Sequence, residues 1–147
     1  MRKNGSSVLL VEDERNYLKS AFRLLSTFSV RVSVLEHGRQ AWDYLFGPEK
    51  GEMPNLVIMP LDLPEYTGVG IVHKMRIEDA TKDIPVIILV NSSEEQELFR
   101  QFNFPFSFSF VKPLTFANLV HAFPALNMVS NSSTHFRLPQ PIVSTVA

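Results

Sequence analysis

The feature that most constrains the fold is a regular alternation of short apolar runs with segments of helical periodicity. The runs VLLV at 8–11, LVIM at 56–59 and VIILV at 86–90 are bounded by polar or turn residues. Such runs are typical of strands that are buried on both faces of a sheet. The stretch SVRVSVLEHG instead alternates valine with polar residues, which indicates an edge strand with one wetter face. A fifth strand is expected just before Lys112.

Between these strands the apolar residues recur at helical spacing. One stripe follows a capping residue expected at Asp13 and a second follows Gly38; their members are Leu18, Ala21, Phe22, Leu25 and Phe28, then Ala41, Trp42 and Leu45. The tetrapeptide SEEQ at 93–96 has the pattern of a capping box and predicts a helix through Phe102. The segments GVGIVHKMRIED and TFANLVHAF predict two more helices, and the last one is expected to end near Pro124.

Five strands that alternate with five helices predict a doubly wound parallel sheet in an α/β domain, because parallel neighbours need helical crossovers. The 147 residues suffice for one such domain, and we expect it to span 1–125. The remaining residues, 126–147, contain much Ser, Thr and Pro and have no long periodic pattern. They predict an arm rather than a second domain.

Composition excludes several classes of function. The chain has no cysteine, which excludes disulfides, thiolate metal sites and thiol nucleophiles and fits a cytoplasmic location. Its net charge is -1 and it has no long Lys/Arg run, so nucleic acid and anionic membranes are not expected partners. The start, MRKNGSSVLLVEDE, has too short an apolar run for a signal peptide or a membrane span. The four histidines show no ligand spacing.

The candidate site residues are those that follow each apolar run, since the working groups of an open α/β sheet lie beyond the carboxyl ends of its strands. In chain order they are Glu12, Asp13, Pro60, Asp62, Val90, Asn91, Ser92, Lys112 and Pro113. Parallel strands end at the same edge of a sheet. Two acids, a lysine and a proline are therefore expected to share one pocket.

These residues carry a resemblance to a known family. Within the five-strand alternation, VLLVEDE, LPEYTG, IPVIIL and FVKPL resemble the CheY-like receiver domain of two-component response regulators over residues 6–124. The resemblance implies a flavodoxin-like, three-layer fold with strand order 2-1-3-4-5. It also implies two acids that help bind magnesium, an aspartate that accepts a phosphoryl group, and a lysine that neutralises this group. Glu12, Asp13 and Lys112 match the acids and the lysine.

The chain departs from this family at the phosphoacceptor. Counting back from Leu63-Pro64, the acceptor position falls on Pro60, the expected hydroxyl residue is Val90, and the expected aromatic residue is Ser109. The resemblance therefore implies a pseudo-receiver, with a degenerate pocket made of Glu12, Asp13, Pro60, Val90 and Lys112. The connections FGPEKGEMPN and EDATKDIP are also similar to those of small stand-alone regulators associated with phytochrome-type kinases.

Physical chemistry leads to the same expectation for the pocket. Phosphoryl transfer at a strand-end site of this kind needs a nucleophilic side chain, here a carboxylate, and a cation that neutralises the developing charge, and proline supplies no nucleophile. Glu12 and Asp13, with Asp62 at the rim, predict weak or absent magnesium binding and no other cofactor. Lys112 is then free to pair with Glu12 or Asp13. Asp62 lies two residues beyond the acceptor position, roughly 6 to 7 Å along an extended chain, so it is not expected to replace the acceptor.

The phenylalanine-rich segment FNFPFSFSF predicts an association surface. If the segment is extended, the rings of Phe102, Phe104, Phe106, Phe108 and Phe110 lie on one face. Packing under the helices is the ordinary interpretation for the last two. We expect a homodimer formed through the last two helices, the fifth strand and the tail.

The sequence thus predicts a protein-interaction module in two-component signal transduction that works without phosphorylation and is not an enzyme. Its partner is expected to be a histidine kinase or another signalling protein. Two alternatives stay open: a true phospho-receiver that uses Asp62 or Ser92 as a displaced acceptor, and a small α/β hydrolase with an aspartate nucleophile.

Overall fold

The computed structural model describes residues 6–48, 52–101 and 106–126 as one α/β domain. The strands and helices alternate strictly along the chain. They are β1 (Ser6–Val11), α1 (Arg15–Leu25), β2 (Val30–Leu35), α2 (Gly38–Phe46), β3 (Leu56–Pro60), α3 (Gly68–Ile77), β4 (Val86–Val90), α4 (Ser93–Gln101), β5 (Phe108–Val111) and α5 (Phe116–Ala125). All neighbouring strands are parallel, and their order is β2-β1-β3-β4-β5. The predicted fold class and strand order are confirmed.

Two apolar cores lie on opposite faces of the sheet. One core packs α1 and α5 against the sheet, around residues such as Leu25, Ile58 and Phe123. The other packs α2 and α3 on the opposite face, around Leu45 and Met75. β1, β3 and β4 contribute buried side chains to both cores because successive side chains of a strand point to opposite faces. This explains why their sequences read as continuous apolar runs.

Pro60 is tolerated at the end of β3 because its missing N–H faces β1, the side on which strand pairing has already ended. The N–H groups of Val57 and Leu61 donate to carbonyl oxygens on the β4 side of the sheet, at 3.1 and 3.0 Å. Since N–H groups alternate between the two sides of a strand, the nitrogen of Pro60 faces β1. The pairing of β1 with β3 ends at Leu10 and Ile58, before Pro60 is reached. No sheet hydrogen bond is lost.

Two cap predictions are wrong by one residue, and one residue of a predicted buried stripe is exposed. The helix cap expected at Asp13 is Glu14, whose carboxylate accepts from the N–H of Tyr17 at 3.0 Å. At α4 the hydroxyl of Ser92, not Ser93, accepts from a first-turn N–H at 3.1 Å. Phe22 belongs to the predicted stripe but is 44% exposed.

The last helix, α5, continues to Ala125, with Pro124 inside its final turn. A proline in the last turn removes only one hydrogen bond of the helix, so α5 can continue one residue beyond it. The predicted end near Pro124 agrees with the structure to about one residue. No helix within the described ranges is long and apolar enough to cross a membrane. The predicted arm, beyond Leu126, lies outside the described residues, as do Phe102 and Phe104.

Candidate functional site

The acid and the lysine predicted at the strand ends form a buried ion pair. Glu12 follows β1 and is 1% exposed, and Lys112 follows β5, with its side chain 10% exposed. The Nζ atom of Lys112 lies 3.5 Å from the Oε2 atom of Glu12. The peptide bond between Lys112 and Pro113 is cis. The lysine is therefore already engaged by a negative charge from the protein itself.

Glu12 is held in an environment that disfavours its charged form. Its Oε2 atom accepts a hydrogen bond from the N–H of Glu14 at 3.0 Å, whereas its buried Oε1 atom has no hydrogen-bond partner. Burial raises the pKa of the Glu12 carboxyl, and the Glu14 N–H and the Lys112 ammonium oppose that shift. Removing Lys112 would leave a buried carboxylate with little compensation.

An aromatic ring covers the lysine from the side of α1. The Nζ atom of Lys112 lies 4.7 Å from the ring centroid of Tyr17, a distance at which a cation is attracted to the π-face. Tyr17 is held in the first turn of α1 by the Glu14 cap. Sequence reasoning missed this contact, because nothing in the spacing shows that a first-turn residue of α1 reaches the end of β5.

The acceptor position contains no carboxylate. Pro60 is the last residue of β3 and is buried, and the apolar Leu61 and Leu63 that follow are 6% and 5% exposed. Asp62 is exposed, and its Oδ2 atom accepts from the side-chain amide of Asn91 at 3.3 Å. The described residues contain no group of three or more acids and histidines placed to hold a metal ion. Asp13 is exposed beside the buried Glu12.

The two positions expected to carry a switch relay contain other groups. Val90 ends β4 and is 1% exposed, so no hydroxyl is present there. At the β5 position, the side-chain amide of Gln96 in α4 donates to the carbonyl oxygen of Ser109 at 2.7 Å and lies 3.4 Å from its hydroxyl. Gln96 was noted in the sequence only as part of a capping pattern. Its link between α4 and β5 follows from packing that the sequence does not reveal.

The phenylalanine segment is not one continuous face. Phe108 and Phe110 stack with their centroids 5.8 Å apart and pack against the core on the α1 and α5 side. Phe106 packs against the opposite core. It precedes β5, which begins at Phe108, so the alternation rule for strands does not extend to it. The one-face prediction is wrong for Phe106, and the ordinary packing interpretation holds for the other two.

Comparison with known proteins supports the same family. The family model for the response regulator receiver domain matches residues 8–124. A probable methanogenesis regulatory protein, FilR2, of Methanothrix harundinacea is 31% identical over 117 residues, covering 76% of this chain and 75% of that protein. CheY chemotaxis proteins are also among the curated relatives.

Solved structures show the same fold. The bacteriophytochrome response regulator RtBRR aligns with a TM-score of 0.76 and 28% identity, over 92% of this chain and 84% of that chain. The Mn²⁺-bound form of response regulator Rcp1 aligns with a TM-score of 0.65 and 20% identity, over 90% and 99% of the two chains. The predicted similarity to phytochrome-associated regulators is confirmed. With its five-stranded sheet and its matching strand-end acid and lysine, the chain belongs to the receiver domain family of two-component response regulators.

Proposed function

We propose that this receiver domain acts as a protein-interaction module whose affinity for partners does not depend on phosphorylation. One observation carries the proposal: the residue that ends β3, where the family carries its acceptor, is the buried Pro60. Proline has no nucleophilic side-chain atom, so no covalent phosphoryl intermediate can form at this position. The domain is then a signalling module and not an enzyme.

The surrounding pocket supports the same conclusion. In a phosphorylated receiver domain the lysine neutralises the phosphoryl group. Here the Nζ atom of Lys112 lies 3.5 Å from the Oε2 atom of Glu12 and is covered by the ring of Tyr17. An incoming phosphodonor would need to displace both contacts. The pair is therefore a static structural element of the domain.

The acids of the pocket do not fit a strong magnesium site. Receiver domains commonly bind Mg²⁺ or Mn²⁺, and Mg²⁺ requires near-octahedral oxygen coordination with at least one or two carboxylates. Here Glu12 is neutralised by Lys112, and Asp62 is directed to Asn91. Asp13 is exposed to solvent beside them. We expect weak or absent binding at Glu12, Asp13 and Asp62.

The partner surface that we propose is the corner formed by α4, β5 and α5. Among the described strands β5 pairs with β4 alone, and α4 contributes no buried residue. Leu98 of α4 is 49% exposed. Receiver domains interact with histidine kinases and other signalling proteins, and we propose such a partner, or a second copy of this chain, for this corner. Residues 126–147 would contribute as an arm to the domain of residues 1–125, in a cytoplasmic protein.

The test is self-association measured by sedimentation with and without a small phosphodonor and magnesium. We expect the same oligomeric state under both conditions. A change in oligomeric state that requires the phosphodonor would contradict the proposal. Repeating the measurement with Asp62→Asn and with Ser92→Ala would then show which residue is the displaced acceptor. The variant that lacks the true acceptor should no longer change its oligomeric state when the phosphodonor is added.

A further inference from the structure

A cleft at the α4, β5 and α5 corner carries an inference about the kind of partner that binds there. The cleft has a volume of about 400 Å³ and includes Ser109, Arg100 and His121 in its lining. The cleft lies at the β5 position where receiver domains are expected to carry an aromatic residue and this chain has Ser109. One ring is missing from the corner, and the side chain of Gln96 reaches across to Ser109 in its place.

The remaining walls of the cleft are aromatic. Phe108 and Phe110 are half-buried and lie nearly parallel, with 9° between their planes. The imidazole of His121 meets Phe108 edge-on, with a centroid distance of 5.5 Å. Rings prefer offset or edge-to-face neighbours with centroids about 4.5 to 7 Å apart. A cleft with such walls favours a flat aromatic side chain over a branched aliphatic one.

The charge of the rim favours a carboxylate next to that ring. Arg100 lines the cleft, and none of the described residues that line it carries a negative charge. Its Nη1 atom contacts Glu97 at 2.8 Å, in a pair whose two side chains are 62% and 56% exposed. An exposed pair of this kind contributes little, and a guanidinium has five N–H donors in all. Arg100 can therefore bind a second carboxylate in the fork geometry that arginine favours.

We propose that the cleft binds a partner peptide that inserts an aromatic side chain flanked by acidic residues. The partner thereby supplies, from another chain, the ring that β5 lacks at Ser109. This inference rests on the proposed function, because it names the chemistry of the segment that the interaction module recognises. An unrelated basic peptide is the competing occupant, and the basic probe below represents it.

The experiment uses the full chain, labelled with ¹⁵N, and the probe peptide acetyl-Asp-Phe-Asp-amide. We expect saturable amide shifts at Gln96 and Ser109 with a dissociation constant of about 1 mM, the range of small ligands with few contacts. The probes acetyl-Asp-Ala-Asp-amide and acetyl-Lys-Phe-Lys-amide lack the ring and reverse the charge. Each should bind at least about tenfold more weakly, which corresponds to one lost charge-assisted or aromatic contact.

Two variants make the test specific. Ser109→Phe fills the cleft from within and should abolish the shifts, whereas Ser33→Phe adds the same ring to the exposed face of β2, at the other edge of the sheet, and should leave them unchanged. Arg100→Gln should weaken binding of the acidic probe about tenfold and should not weaken binding of the basic probe, because the like-charge repulsion from Arg100 is removed.

Equal binding of the acidic and basic probes, shifts that survive Ser109→Phe, or no saturation up to about 10 mM would each overturn the inference. None of these results bears on phosphorylation. If the phosphodonor still leaves the oligomeric state unchanged, the proposed function stands, and only the inferred recognition of an aromatic and acidic peptide is wrong.

Discussion

Replacing Lys112 by methionine should strongly destabilise the domain, because it leaves Glu12 as a buried carboxylate without its cation. Glu12 is 1% exposed and its Oε1 atom has no partner. Breaking a buried pair by removing one member costs about 3 to 5 kcal/mol. That is a large fraction of the roughly 5 to 15 kcal/mol by which a domain is stable. In urea unfolding at pH 7, we expect the midpoint to fall by about 2 M.

The double variant Glu12→Gln/Lys112→Met separates charge from packing. It removes both charges, so it should recover most of the lost free energy of unfolding. Lys82→Met is the matched control, because Lys82 is 52% exposed and pairs at the surface with Asp79. Its midpoint should not change measurably.

The pH dependence of the Lys112→Met variant gives a second readout. In the wild type, burial raises the pKa of Glu12 above its unfolded value of about 4.3. The folded state therefore binds this proton more tightly than the unfolded state, and stability falls as pH rises between the unfolded and the folded pKa. Loss of Lys112 removes an effect that lowers the folded pKa, so the decline should continue to higher pH in the variant. An unfolding free energy within about 1 kcal/mol of wild type, with an unchanged pH profile, would refute the buried-pair reasoning.

Three further predictions concern metal, assembly and switching. Calorimetry should show no magnesium binding tighter than about 10⁻³ M, and tight binding would mean that Asp62 completes the site. Sedimentation should report a dimer or larger species that dissociates when residues 126–147 are deleted, and a monomer unaffected by that deletion would contradict the association surface. Pro60→Asp alone should not restore a phosphorylation-driven change in oligomeric state, because Val90 has no hydroxyl and Ser109 no ring to favour one state over the other. Adding Val90→Thr and Ser109→Tyr should restore it, and an equal response of the single and triple variants would sink the argument.

The sheet could be predicted from the sequence because its pattern follows directly from burial. Strand residues covered on both faces must be apolar, and this holds for residues 8–11 of β1 and for all of β3 and β4. β2 lies at the edge of the sheet and alternates between exposed and half-buried residues. The helix caps were harder to place. Asp13 and Glu14 can both accept an N–H, and the sequence does not show that Glu14 is the one that caps α1.

The sequence indicated which residues lie at the ends of the strands, but not which contacts their side chains make. Parallel strands end at the same edge of the sheet, so the acids after β1 and Lys112 after β5 were expected to share one pocket. Which acid is buried depends on side-chain direction, and the structure selects Glu12. The Tyr17 ring over Lys112 and the Gln96 bond to Ser109 join residues 95 and 13 positions apart. Contacts of this kind arise from three-dimensional packing and leave no local signal.

The most direct test of the central claim is the intact mass of the protein after incubation with a small phosphodonor and magnesium. Wild type and Pro60→Asp should be incubated side by side under identical conditions, so that the variant reports whether a carboxylate at the end of β3 can be modified. We expect the wild-type mass to stay unchanged, because Pro60 has no nucleophile and Asp62 is directed to Asn91. A wild-type mass increased by one phosphoryl group, mapped by fragmentation to Asp62 or Ser92, would contradict it.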